Sequence, residues 1–92
     1  MKFWIAKAIK ERLDYTLDVI SRTDYEVEIE IDDERVNADT ADDNTMSNIS
    51  VSSSDNVFCG LLLTIAAQFS ELYNLSYYVE TYGDGNLRLI VY

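Results

Sequence analysis

The chain has 92 residues, enough for one small domain, and its net charge is −10 from 17 acidic and 7 basic side chains. That charge argues against nucleic acid and anionic membranes as direct ligands, because both are densely negative themselves. One cysteine and no histidine exclude a disulfide framework, a zinc ligand set and a Ser-His or Cys-His catalytic pair. A hydrophobic fraction of 48% predicts a packed core, so we expect a single domain over residues 1–92.

The first half of the chain predicts one helix and two strands. Apolar side chains recur at spacings of three and four over residues 3–21, which is typical of a helix with one buried stripe. Residues 24–32 alternate apolar and acidic side chains, which predicts a strand, and a polar stretch over 33–45 leads to a short strand over 47–52. The helix stripe consists of Ile5, Ile9, Leu13, Leu17 and Ile20.

The second half predicts a helix over 56–74 and a hairpin whose strands are 76–82 and 87–92. A shift of 52 positions superposes the two helix stripes, so we divide the domain into halves of about 1–52 and 53–92. The stripe of the second helix consists of Val57, Leu61, Ile65, Phe69 and Leu72.

The register of the hairpin follows from its turn. A two-residue loop would mix charged and apolar side chains on one face, whereas a three-residue loop over 83–85 separates them. We therefore expect Val79 to lie opposite Leu89 on the core face. Glu80 then lies opposite Arg88 on the other face.

These elements predict an α+β fold in the order α-β-β-α-β-β. Both helices need an apolar surface to cover, and one four-stranded, mainly antiparallel sheet supplies it. The expected architecture is a two-layer sandwich with both helices on one face of the sheet. The opposite sheet face stays open unless a partner covers it.

The acidic side chains are concentrated in one third of the chain. Residues 24–55 hold eleven acidic side chains and one basic, a balance equal to that of the whole chain. Side chains two positions apart on a strand lie ~6.8 Å apart on one face, so five carboxylates form a row ~27 Å long. The row consists of Asp24, Glu26, Glu28, Glu30 and Asp32, and the following loop adds Asp33, Glu34, Asp39, Asp42 and Asp43.

Two interpretations of this row stand side by side. Carboxylates on the wet face of a strand keep the protein soluble and protect a sheet edge from pairing with other chains. The same row would attract a surface rich in Lys and Arg that is built to bind phosphates. No lysine is interleaved to relieve the repulsion between these like charges, and that cost favours a role in binding.

The second half of the open face predicts a different surface. In the hairpin register above, it presents tyrosine, arginine and isoleucine, and the first two are enriched in binding hot spots. We expect an interface here, either with a partner or with a second copy of the chain, although exposed tyrosine is also an ordinary strand residue. The side chains are Tyr78, Tyr82, Arg88, Ile90 and Tyr92.

The sequence offers no catalytic residues, no cofactor site and no metal ligand set, and we expect no enzymatic activity. The calcium-loop spacing fails, because a loop starting at Asp39 has Ala41 at its third position and Asn44 in place of glycine at its sixth. Loose divalent binding at Asp42 and Asp43 is a minor alternative. Cys59 lies among leucine and alanine, which is typical of a buried, inert thiol.

In size, acidity and lack of catalytic motifs, the chain resembles small phage-encoded anti-defence proteins, the DNA mimics that block restriction enzymes and the anti-CRISPR proteins. The resemblance implies an inhibitor that binds the basic nucleic-acid-binding surface of a nuclease or CRISPR-type effector in the host cytoplasm. An immunity protein or antitoxin for a basic nuclease toxin fits the same electrostatics. A homo-oligomeric structural or adaptor module, with a homodimer through the Tyr78 and Ile90 face, is the alternative from another class.

Overall fold

The computed structural model describes residues 1–20, 25–32, 34–37, 41–53, 56–83 and 86–92. These residues form two helices and five strands, so the predicted α+β class is confirmed. The elements in chain order are α1 (Phe3–Val19), β1 (Tyr25–Ile31), β2 (Glu34–Arg35), β3 (Asn48–Ser53), α2 (Asn56–Tyr73), β4 (Tyr77–Tyr82) and β5 (Asn86–Val91).

The sheet has five strands in the order β2-β1-β3-β5-β4, and every pairing is antiparallel. The prediction of four strands is therefore wrong by one. The additional strand, β2, lies in the stretch expected to be a polar loop, and it pairs Arg35 with Glu30 and Glu34 with Ile31. Two charged residues are too short to show strand periodicity. The turn before them begins at Asp32, whose φ of 52° lies in the left-handed region that aspartate tolerates.

The predicted hairpin register is confirmed. Val79 lies opposite Leu89, Glu80 lies opposite Arg88, and Tyr82 closes the ladder opposite Asn86. The connection therefore has three residues, as the separation of charged from apolar side chains required. It begins at Gly83, whose φ of 59° a residue with a Cβ atom rarely adopts.

Both helices pack on one face of the sheet. The inward side chains of β1, β3 and β5, such as Ile29, Ile49 and Leu89, are buried together with α1 and α2 residues in one core. Phe3, Leu17 and other large core side chains are fully buried. α1 covers β1 and β3, whereas α2 covers β5 and β3. The core thus forms between the helix layer and the middle strands, and β4 lies beyond the cover of α2.

The buried stripe of α2 differs from the prediction. Leu62 and Ala66 have exposed fractions of 0% and 2%, whereas Leu72, assigned to the stripe, is 70% exposed. The predicted members Leu61, Ile65 and Phe69 are half-buried and pack against the edge of the core. The helix is apolar on nearly every side, so periodicity alone does not determine which side faces the sheet. The side chains of residues 56–59, including Val57 and Cys59, lie outside the described part of the structure.

The stripe of α1 is confirmed for most of its length. Ile9, Leu13 and Leu17 are buried, and Ile5 is half-buried. Ile20 is 43% exposed, because the helix ends at Val19 and the side chain falls beyond the sheet-facing turn.

The start of α1 is held by the loop before β3. Lys2 is the N-cap residue and makes no side-chain capping hydrogen bond. Instead, the Phe3 N–H donates to the Thr45 carbonyl at 2.8 Å and the Trp4 N–H donates to the Asp43 carbonyl at 3.3 Å. These carbonyls satisfy helix N–H groups that a cap would otherwise serve.

Candidate protein-binding face

The sheet face opposite the helices, called the open face below, is built from the residues that alternate with the core. Because neighbouring strands are paired in register, their outward side chains form cross-strand lines perpendicular to the strands. One cross-strand line runs from Glu28 through Ser50 and Ile90 to Tyr78. The next cross-strand line runs from Glu26 through Ser52 and Arg88 to Glu80.

The carboxylates on the open face of β1 are Glu26, Glu28 and Glu30, called the acidic row below. Among the described residues the row spans ~14 Å, because β1 ends at Ile31, one residue before Asp32. The expected length of ~27 Å also counted Asp24 and Asp32. Asp32 lies in the turn after β1 and is not part of the strand. Asp24 lies outside the described residues.

A basic side chain lies along the acidic row, contrary to the expectation that its charges are unrelieved. Arg35 on β2 donates from Nη2 to Glu26 Oε1 at 3.2 Å and also bonds Glu28 Oε1. The tight turn at Asp32 folds β2 back against β1 and brings this arginine onto the row. Its side chain stays 69% exposed, so the ion pairs are accessible to water and to a competing cation.

Glu28 is more shielded than Glu26, with 16% of its side chain exposed against 59%. A hydrogen bond with Glu26 raises the pKa of Glu28, and burial and the negative charges of Glu26 and Glu30 raise it further. Arg35 acts in the opposite direction but does not reverse the shift. A further positive charge placed over Glu28 would favour its ionised form and lower its pKa.

The three acidic loop residues that the structure describes, Glu34, Asp42 and Asp43, do not extend the acidic row across the open face. Glu34 lies opposite Ile31, so its side chain is on the helix side of the sheet edge. Asp42 and Asp43 lie beside the N-terminus of α1, where Asp42 Oδ1 accepts a hydrogen bond from the Asn44 N–H at 2.8 Å. Negative charge is favourable at that end of a helix, which supplies a structural role for both residues. Asp33 and Asp39 lie outside the described residues.

The other half of the open face is aromatic, as the hairpin register predicts. Tyr78, Ile90 and Tyr92 form what we call the aromatic half: Tyr78 lies opposite Ile90, and its ring meets that of Tyr92 edge-on at a centroid distance of 5.8 Å. Both tyrosines are about half exposed. Arg88 lies opposite Glu80 and Ser52. Tyr82 closes the β4–β5 ladder, and its side chain lies outside the described part of the structure.

Between the two halves runs a strip of short polar side chains that the sequence analysis did not include in the site. Asn48, Ser50 and Ser52 point to the open face of β3, flanked by the acidic row on one side and by β5 on the other. The sequence signal that could have identified this strip is the alternation of its residues with Ile49 and Val51. β1 and β5 are two strand spacings apart, so the strip is a shallow channel ~10 Å wide.

The channel ends in a hollow of about 360 Å³ where β1 ends and β3 begins. Acidic side chains and Tyr92 line this hollow, so it joins the acidic row to the aromatic half. The lining residues are Glu30, Asp32, Met46, Ser47, Asn48 and Tyr92.

Comparison with protein-family models, with curated proteins and with solved structures finds no match for the chain. Among the described residues, no group of three or more His, Cys, Asp or Glu side chains is arranged to hold a metal ion. Within the same part of the chain, neither helix is long and apolar enough to cross a membrane.

Proposed function

We propose that this protein is a small, non-enzymatic inhibitor that acts in the cytoplasm. It binds the basic nucleic-acid-binding surface of a nuclease or CRISPR-type effector and blocks access of DNA or RNA. The observation that carries the proposal is the joint presence of the acidic row and the aromatic half on one sheet face that the described helices leave uncovered.

The acidic row supplies attraction and orientation. Its carboxylates repeat every ~6.8 Å, about twice the ~3.4 Å of helix axis that one strand of a nucleic acid has per phosphate, so Lys and Arg placed for phosphates can reach them. Arg35 already bridges Glu26 and Glu28, and a target arginine would exchange with it. The net gain therefore comes from Glu30 and from the long-range field of the chain, which carries −10 overall.

The aromatic half supplies buried area. Tyr78 and Tyr92 are amphipathic and lose little conformational entropy on binding, because each side chain has only two χ angles. Ile90, which lies opposite Tyr78 on β5, adds apolar area beside the two rings. A target would thus contact charge on one side of the channel and aromatic surface on the other.

The same face supports two other functions. A basic nuclease toxin would present a similar surface, so an immunity protein or antitoxin would use the same residues. The exposed pair Tyr78 and Tyr92 also suits a homo-oligomeric adaptor in which the acidic row only maintains solubility. In that adaptor, replacing both Tyr78 and Ile90 by aspartate dissociates the oligomer, whereas reversing the acidic row leaves it intact.

The test is affinity capture from a host lysate with three forms of the protein. The first is the wild type, and the second carries Glu26→Lys, Glu28→Lys and Glu30→Lys. The third is a matched control that reverses three exposed acidic residues of the helix layer, Glu11, Asp18 and Glu71, to lysine. Each reversal adds two charges, so both variants change the net charge from −10 by the same amount.

The proposal expects a nucleic-acid-binding protein to be retained by the wild type and by the helix-layer control but lost with the row-reversed variant. Equal loss from both variants would mean that only net charge matters. Equal retention of the same protein by all three forms would mean that the acidic row does not take part in binding.

A further inference from the structure

The two edges of the sheet differ in how far they are protected from pairing. β2 forms one edge with only two residues, both charged. β4 forms the other with six residues, Tyr-Tyr-Val-Glu-Thr-Tyr, of which only Glu80 is charged. None of the described residues pairs with the outer side of β4. A long, aromatic and weakly charged edge is a template for pairing with another strand.

The backbone groups on this free edge can be assigned from the β4–β5 ladder. The Ser76 N–H donates to the Tyr92 carbonyl at 3.1 Å, and the Tyr92 N–H donates to the Ser76 carbonyl at 2.9 Å. Antiparallel strands alternate between residues that bond one neighbour and residues that bond the other. The even-numbered residues of β4 therefore direct their backbone N–H and C=O groups towards β5. Tyr77, Val79 and Thr81 direct theirs away from β5, towards the free edge.

The side chains of β4 are exposed on both faces of the sheet. Tyr77 and Val79 point to the helix side, yet they are 41% and 38% exposed, because α2 packs over β5 and β3. Tyr78 on the open face is 45% exposed. A strand placed beside β4 would cover apolar surface on both faces and complete the hydrogen bonds at the edge.

We propose that the occupant of this edge is a second copy of the chain, paired antiparallel through β4 about a two-fold axis at Val79. In this arrangement Val79 lies opposite the partner's Val79, and Tyr77 lies opposite the partner's Thr81. All three outward-facing residues then bond, which gives about six intermolecular hydrogen bonds. The two sheets join into one continuous sheet with all helices on the same side.

The choice of axis follows from the pattern of bonds and charge. An axis at Tyr78 or at Glu80 leaves one outward-facing residue near the end of the strand unpaired and gives about four bonds. The axis at Glu80 would also place two carboxylates directly opposite each other, which is destabilising. With the axis at Val79, Glu80 lies opposite the partner's Tyr78. The strand is thus self-complementary in one register.

The net charge of each copy does not prevent this pairing. The acidic row on β1 is three strands away from β4, so the two rows of a dimer are ~34 Å apart. That separation exceeds the Debye length of ~8–10 Å at physiological ionic strength. The remaining repulsion makes the dimer tighter as salt is added, opposite to the expectation for a basic target. The acidic row stays free in the dimer, whereas Tyr78 of the aromatic half lies beside the partner's Glu80 at the joined edge.

The test is the oligomeric state of four forms, measured by sedimentation velocity over a range of protein concentrations. Val79→Lys and Val79→Glu place like charges opposite each other at the axis, whereas Val79→Thr keeps a neutral, β-branched side chain of similar size. Because Val79 is 38% exposed, the charged variants are expected to fold, and circular dichroism checks this. We expect a dimer for the wild type and for Val79→Thr, with the dissociation constant raised at least about tenfold in each charged variant.

Mixing the two charged variants tests the axis itself. Lysine and glutamate meet across the axis only if residue 79 lies opposite its own copy, so the mixture should form a heterodimer that neither variant forms alone. A monomeric wild type at high concentration would overturn the proposal. So would charged variants that stay dimeric, which would point to another surface, or a mixture that stays monomeric.

Discussion

At the scale of single residues, the acidic row attracts cations, but a cation of the chain itself, Arg35, already occupies part of it. Arg35 bonds Glu26 and Glu28, and it lies there because the turn at Asp32 brings β2 against β1. An exposed ion pair of this kind contributes ~0–1 kcal/mol to stability. In the proposed complex its larger effect would fall on binding, because an arginine of the target would compete with it for the same oxygens.

Removing the internal cation should therefore strengthen binding to a basic probe. We expect Arg35→Gln to raise the affinity for a labelled oligo-arginine peptide at low salt by about two- to fivefold, the equivalent of ~0.5–1 kcal/mol. Fluorescence anisotropy measures the change. Arg12→Gln removes one exposed positive charge from α1 and is the matched control, expected to leave the affinity near the wild-type value. An equal rise in affinity for both variants would mean that the effect depends on net charge and not on where the positive charge was removed.

The raised pKa of Glu28 gives a pH dependence with a definite sign. The folded state holds the Glu28 proton more tightly than the unfolded state, whose pKa is near the ordinary value of 4.5. As the pH rises above 4.5, the unfolded state loses this proton first. The contribution of Glu28 to stability therefore falls until the pH passes the folded-state pKa.

Glu28→Gln keeps the shape of the protonated carboxyl and removes this dependence. We expect the free energy of unfolding of the variant, relative to the wild type, to grow from about pH 4 to about pH 7 in urea titrations. Glu80→Gln removes one negative charge from the far side of the open face and should retain the wild-type dependence on Glu28. A relative stability of Glu28→Gln that falls with rising pH would contradict the assignment.

At the scale of secondary-structure elements, α2 shows what determines which side of an apolar helix is buried. Leu62 and Ala66 face the sheet, while Leu72 and the small residues Gly60, Thr64 and Ala67 face outwards. The contact of α2 with β5 and β3 determines this rotation.

The rotation of α2 can be measured by truncating neighbouring leucines. Leu62 is fully buried and Leu61 is half-buried. We expect Leu62→Ala to lower the free energy of unfolding by ~2–5 kcal/mol, because it leaves a cavity between helix and sheet. Leu61→Ala should cost clearly less. Equal losses in urea unfolding, or a greater loss for Leu61→Ala, would support the rotation predicted from the sequence.

The start of α1 gives a second test at this scale. Asp42 Oδ1 holds the turn that directs the Asp43 and Thr45 carbonyls at the first N–H groups of the helix. We expect Asp42→Ala to lower the free energy of unfolding by ~1 kcal/mol. Asp43→Ala keeps the carbonyl that bonds Trp4 and should cost less in the same urea titration. A larger loss for Asp43→Ala would show that charge, and not the turn, stabilises this end.

The sequence predicted those parts of the fold that depend on side-chain alternation. The β4–β5 register and the face of Glu26, Glu28 and Glu30 follow because a shift by one residue would bury charge. β2 was not predicted, because two charged residues show no period and their pairing depends on the turn at Asp32. The position of Arg35 on the acidic row was missed for the same reason.

At the scale of the whole molecule, the two faces of the sheet carry different kinds of side chain. One face meets the helices and forms the core, and the other carries the acidic row, the polar strip of β3 and the aromatic half. The core residues point away from the open face, so most changes to the open face leave the core intact. Glu28 is the exception, because its raised pKa links this carboxyl to stability.

The measurement that tests the central claim most directly is competition for a target's nucleic acid. The captured nucleic-acid-binding protein is mixed with its labelled DNA or RNA, and increasing amounts of the present protein are added at low and at physiological salt. We expect the wild type and the helix-layer control to displace the nucleic acid, less effectively at higher salt, and the row-reversed variant to displace none. A wild type that binds the target without displacing nucleic acid, or a row-reversed variant that displaces it equally well, would contradict the account.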